Sequence, residues 1–76
     1  PDIAVDARKN IHMVWKEGRD LYYAKISPKN EPLALDEDGE PSPAVYLRTL
    51  PSAMAQPRIV VDFDGNALIM AANPAG

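Results

Sequence analysis

Pro1-Asp2-Ile3-Ala4-Val5-Asp6, followed after three residues by Asn10, returns as Pro57-Arg58-Ile59-Val60-Val61-Asp62, followed after three residues by Asn66. Pro, Ile, Val, Asp and Asn all recur at the same offset, 57 − 1 = 56 residues, and the segment after each copy turns apolar again. A repeat of this kind, written in strand-like residues, means that one supersecondary unit is used more than once. The chain holds one such unit and the beginning of a second.

Working outward from the first copy, Ile3 to Val5 reads as a short strand, and Asp6 to Asn10 as a polar hairpin turn. Ile11 to Trp15 follows as a second strand. Its alternation puts Ile11, Met13 and Trp15 on one face and His12 and Val14 on the other. Lys16 to Asp20 breaks it, with Gly18 free to take a positive φ. Leu21 to Ile26 is a third strand whose two tyrosines, Tyr22 and Tyr23, face opposite sides. Residues 27–43 carry Pro28, Pro32, Pro41, Pro43 and the acidic run Asp36 to Glu40. They read as one long, proline-stiffened loop in which Leu33 and Leu35 dip back over an apolar edge. Ala44 to Leu50 resumes strand character and Pro51 closes it. Ser52 to Gln56 is a small-residue linker with room for one helical turn between two prolines. The second copy then supplies strands at Arg58 to Asp62 and Ala67 to Ala72, joined by a turn at Phe63 to Asn66.

The fold class expected is therefore all-β: a four-stranded antiparallel sheet over residues 1–50, a linker at 51–56, and, over 57–76, two strands that match the first two and begin a second unit. Stability is the difficulty. A chain of 76 residues buries only about 60% of the surface its unfolded form exposes. Small folds usually need a staple. There is no cysteine and His12 is the single histidine, so a Cys/His zinc site of the usual kind is excluded. Net charge is −3 and the basic residues are dispersed, against the clustered Lys and Arg of a nucleic-acid footprint. No apolar run approaches the roughly 20 residues that a membrane-spanning helix needs. The chain opens on Pro1 and not on Met, which points to sequence upstream.

Residues 1–26 read Pro-Asp-Ile-Ala-Val-Asp, four residues, Ile-His-Met-Val-Trp, five residues, Leu-Tyr-Tyr-Ala-Lys-Ile. This stretch resembles a blade of the sialidase-like β-propellers and their relatives among secreted bacterial proteins. In that pattern an Ile-Ala-Val-Asp strand leads through a Gly-Asn-type turn into Ile-His-x-Val-Trp and then into Ile-Tyr-Tyr-Ala-Lys. The resemblance covers about half the chain. It implies a twisted four-stranded sheet apolar on both faces, packed between neighbours in a ring of about four to eight. It implies an extracytoplasmic or secreted location, and as partners the remaining blades of a parent chain or identical subunits. Residues 27–43 contain no Trp, so the Ser-x-Asp-x-Gly-x-x-Trp box of sialidase blades has no counterpart there. What the resemblance implies is a scaffold, not an activity.

Candidate sites are few, and no constellation carries a reaction, which leaves open whether the chain belongs to an enzyme. His12 as a general base would need an orienting carboxylate; such a histidine more often packs between sheets. Trp15, Tyr22, Tyr23 and Tyr46 suit a sugar-stacking platform, although blade packing explains the same aromatics. Arg19 and Arg48 stand near strand ends as anion contacts or surface ion pairs. The ligand-binding candidates are accordingly His12, Trp15, Arg19 and Tyr22, with a glycan as the ligand class. Asp62-x-Asp64-Gly65-Asn66 and Asp36-x-Asp38-Gly39-Glu40 resemble fragments of calcium loops without the distal bidentate Glu. Asp62 and Asp64 are the calcium candidates, and tight turns use the same residues. No cofactor is indicated. The reading is a propeller blade segment acting as a binding or scaffolding module. One alternative is part of a propeller glycoside hydrolase or lyase, drawing on Asp6, Asp20 and Asp62. Another is a strand-pairing subunit of a ring or filament.

Overall fold

Period-two alternation of β-branched and aromatic residues with polar ones gives strands, and short polar runs containing Gly, Asn or Asp turn the chain between them. In the computed structural model, which describes residues 2–51 and 55–72, six strands follow in order. They are β1 (Asp2–Val5), β2 (Ile11–Glu17), β3 (Asp20–Ile26), β4 (Val45–Thr49), β5 (Gln56–Val61) and β6 (Ala67–Ala72). The chain is all-β: a four-stranded antiparallel sheet of order β1-β2-β3-β4, and a two-stranded sheet, β5-β6. Most of the linker, including any helical turn at Ser52 to Met54, lies outside the described residues.

One turn recurs. At Asp6–Asn10, Ser27–Glu31, Asp36–Glu40 and Asp62–Asn66 the first N–H donates to the fifth carbonyl and the fourth N–H donates to the first carbonyl, at 2.9 to 3.1 Å. In each, the side-chain oxygen of the first residue accepts the N–H of the third and fifth. The fourth residue takes a positive φ every time: Lys9, Asn30, Gly39 and Gly65. Asp and Ser suit the first place because a short oxygen-bearing side chain reaches the main chain two residues on.

Residues 27–43 are therefore not the unstructured loop expected from their prolines. They form two of these turns, closed by isolated bridges between Ile26 and Pro32 and between Leu35 and Pro41. Ala34 is the residue that tucks in, while Leu33 and Leu35 stay exposed. Between β2 and β3 the loop is only Gly18-Arg19. Gly18 has φ 64° and Arg19 is not left-handed, the pattern of a type II′ turn.

The turns set the register, and the register sets the faces. Ile3 pairs with Met13 and Val5 with Ile11, so these four share the outer face of the large sheet; Ala4 pairs with His12 and Asp2 with Val14 on its inner face. Trp15 pairs with Tyr22, outer, and Val14 with Tyr23, inner. The β5-β6 hairpin lies across the inner face, with β5 against β1 and β2. Val14, Leu21, Leu50, Ala55 and Ile59 form the core, with Ala4, Tyr23 and Ile69 packed against it. Full burial of a side chain such as Val14 or Ile59 contributes roughly 1.5–3 kcal/mol. A polar bond joins the sheets: the Ile59 N–H donates to Asp2 Oδ2 at 2.9 Å. This bond draws the Asp2 carboxyl below the usual carboxylate range.

Candidate functional site

His12 sits mid-strand on the inner face of β2, fully buried. Its partners come from sequence neighbours folded back on it. Asp6 opens the turn that precedes β2, and Tyr23 stands on the adjoining strand β3. His12 Nε2 lies 2.8 Å from Asp6 Oδ2 and Nδ1 lies 2.7 Å from the Tyr23 hydroxyl. An ionised carboxylate only accepts, so Nε2 carries its proton toward Asp6. With its one proton there, the imidazole has Nδ1 free to accept the Tyr23 O–H.

The charges agree with that assignment. The Asp6 carboxyl is held far below its ordinary range, first by the hydrogen bond from His12 and then by the N–H groups of Asn10 and Arg8, against the opposing effect of burial. The Tyr23 phenol is pushed up by burial and by the nearby Asp6 charge, and so remains a donor.

The order carboxylate, imidazole, hydroxyl is that of an acid–base relay. Its setting makes it a clamp. The imidazole is sealed from solvent, the hydroxyl is held protonated, and Asp6 also accepts both the main-chain and the side-chain N–H of Asn10. The concavities described below are lined by other residues. Asp6 was legible as a turn residue and His12 as a strand residue; their contact follows from both lying on the same side of the hairpin that the Asp6–Asn10 turn closes.

A second grouping occupies the outer face. Trp15 stacks on Tyr22 with ring centroids 5.9 Å apart, and Tyr22 meets Tyr46 edge-on at 5.9 Å. At one end the Thr49 hydroxyl donates to Asp20 Oδ1 at 2.8 Å, so it accepts the Tyr46 hydroxyl at 2.7 Å. Tyr46 is 53% exposed. Beside this strip lies a shallow concavity of about 490 Å³ lined by Asp2, Ile3, Met13, Val14 and Trp15. A second, of about 360 Å³, opens between the sheets and is lined in part by Leu21, Leu50, Ala55 and Ile69.

Of the ligand-binding candidates, then, the structure brings Trp15 and Tyr22 together. It places His12 on the opposite face and Arg19 in the β2–β3 turn, where its carbonyl accepts the Leu50 N–H at 2.6 Å. Tyr23 belongs with His12 and not with the other aromatics. Thr49 is the member of the outer grouping that sequence reasoning missed; the register of β3 with β4, which pairs it with Asp20, is what reveals it.

Of the carboxylates considered for hydrolysis or calcium, Asp6, Asp20 and Asp62 are engaged locally. Asp62 repeats the Asp6 turn, its oxygens accepting from Asp64 and Asn66, and these bonds lower its carboxyl from the usual value. Asp20 accepts from Thr49. Among the described residues no three His, Cys, Asp or Glu side chains come together in a way that would hold a metal ion. Among them, too, no helix is long and apolar enough to cross a membrane. In comparisons with known proteins, no family model, no curated protein and no solved structure matches the chain.

Proposed function

We propose that the chain is a blade segment of a sialidase-like propeller, working outside the cytoplasm as a binding or scaffolding module, with a glycan as the ligand. The observation that carries the reading is the placement of the second copy of the phrase. It lies face-on across the first sheet through Ile59 and Ile69 and does not extend that sheet at its edge. Successive units stacked through their faces, each a twisted antiparallel sheet, are the arrangement of propeller blades.

The glycan enters through the outer aromatic strip. Pyranose rings offer apolar C–H faces and hydroxyl edges, which match aromatic planes flanked by oriented oxygens. Tyr46, Thr49 and Asp20 supply such oxygens at the exposed end of the Trp15–Tyr22–Tyr46 strip.

The test is a glycan array probed with the whole labelled chain, followed by titration of the best binder. Tyr46→Ala is expected to weaken binding at least tenfold, while Phe63→Ala, the most exposed aromatic and remote from the strip, leaves it unchanged. Absence of binding to every glycan presented, or equal loss in the two variants, overturns the glycan assignment.

A further inference from the structure

Two faces that the repeat makes equivalent have opposite fates. Ile59 and Ile69 pair across β5-β6 and pack on the inner face of the large sheet. The residues 56 positions earlier, Ile3 and Met13, pair across β1-β2 on the outer face. There Ile59 is 4% exposed and Ile3 is 60% exposed. The mirror statement holds for the other side. His12 and Val14, inner and sealed, correspond to Leu68 and Met70, and Leu68 is 59% exposed.

The chain thus shows one complete contact, outer face of the second unit on inner face of the first. It also leaves open one half of the same contact at each end. We infer that these ends join: the open outer face of one chain, Ile3, Val5 and Met13, receives the open face of the β5-β6 hairpin of a second copy, Val60, Leu68 and Met70. The new contact continues the one already formed inside the chain, with the same strands in the same roles. The inference rests on the reading of the chain as a stacking repeat unit.

Such a contact is heterologous, since each chain uses two different patches, and it propagates into a ring or a column. An interface that paired outer face with outer face would be two-fold and would stop at a dimer. In the observed contact β5 covers β1 and β2. The same placement on the outer face leaves Tyr46, on β4, free at its edge. One detail is not reproduced. Asp2, whose carboxylate accepts the Ile59 N–H, corresponds to Arg58 in the second unit, so the copy-to-copy contact lacks that bond.

The experiment is sedimentation velocity over a hundredfold concentration range on the whole chain, on Ile3→Glu, on Leu68→Glu, and on their equimolar mixture. Wild type is expected to grow beyond a dimer with concentration. Each variant alone stays monomeric, and the mixture gives a 1:1 dimer of doubled mass, because each variant retains the face the other has lost. Circular dichroism melts establish folding, and Val5→Glu or Val60→Glu replaces a variant that does not melt cooperatively. A wild-type monomer at every concentration, dimers of Leu68→Glu alone, or a mixture that stays monomeric overturns the inference. A folded wild-type monomer that still binds a glycan through Tyr46 would end the copy-to-copy contact and leave the binding-module reading standing. Loss of glycan binding in a chain that still assembles would do the reverse.

Discussion

The turns at Asp6–Asn10 and Asp62–Asn66 make the same main-chain bonds and the same bonds from their first aspartate, down to an Asn side chain donating to the second oxygen at 3.2 Å in each. Two residues past the turn they part. The first copy places His12 on the free side of its carboxylate and buries both; the second has Leu68 there and leaves Asp62 exposed. Turn formation is therefore local, carried by the five residues themselves. Locking the turn to the rest of the sheet is a separate device, present once, that needs an imidazole from β2 and a phenol from β3.

If that separation is right, His12→Ala is the most damaging change. It opens a cavity, takes the imidazole bond from the buried Asp6 carboxylate and leaves the Tyr23 hydroxyl without its acceptor, with an expected loss of about 3 kcal/mol in urea unfolding. Leu68→Ala, its equivalent, should cost less than about 1 kcal/mol. Equal losses would remove the distinction.

Acid should act on the same asymmetry. The Asp6 carboxyl titrates far below its ordinary range in the folded chain. The stability it contributes is therefore complete above about pH 4 and drains away as pH falls further. Thermal melts between pH 5 and pH 2 should flatten in Asp6→Asn, and flatten less in Asp62→Asn, where the lowering comes from the turn alone.

Gly65→Ala sharpens the local half of the comparison. Gly65 has φ +87° and an added Cβ would meet nothing closer than Asp6 Oδ2 at 3.6 Å. The cost is thus backbone strain only, about 1–2 kcal/mol in urea unfolding. Lys9 stands at the same place in the first turn with φ 68°. Relief of its strain is partly offset by the entropy of glycine, so Lys9→Gly should stabilise by about 0.5 kcal/mol.

The strands were legible because their alternation is written plainly: all six expected segments begin and end within two residues of those found. Residues 27–43 were misread because prolines at 28, 32, 41 and 43 mask two further copies of the turn. The telling positions were the fourth ones, Asn30 and Gly39, which are residue types suited to a left-handed backbone. The His12–Asp6 contact was half legible. Both residues were noticed, but Tyr23 joins them only through the β2–β3 register, which the two-residue Gly18-Arg19 loop imposes. Which apolar face would be covered was not legible at all. Ile3 and Ile59 occupy identical places in the phrase, and only the path of the chain after Leu50 decides that the second is hidden.

Because four loops close with one and the same pattern of bonds, they are interchangeable parts. The acidic Asp36–Glu40 segment transplanted into the place of Ser27–Glu31 would arrive with its own first-residue acceptor and its own left-handed fourth residue, and the flanking strands would keep their phase. The exterior chemistry of this protein is in that sense modular: its rim can be rewritten five residues at a time while the sheets beneath stay as they are.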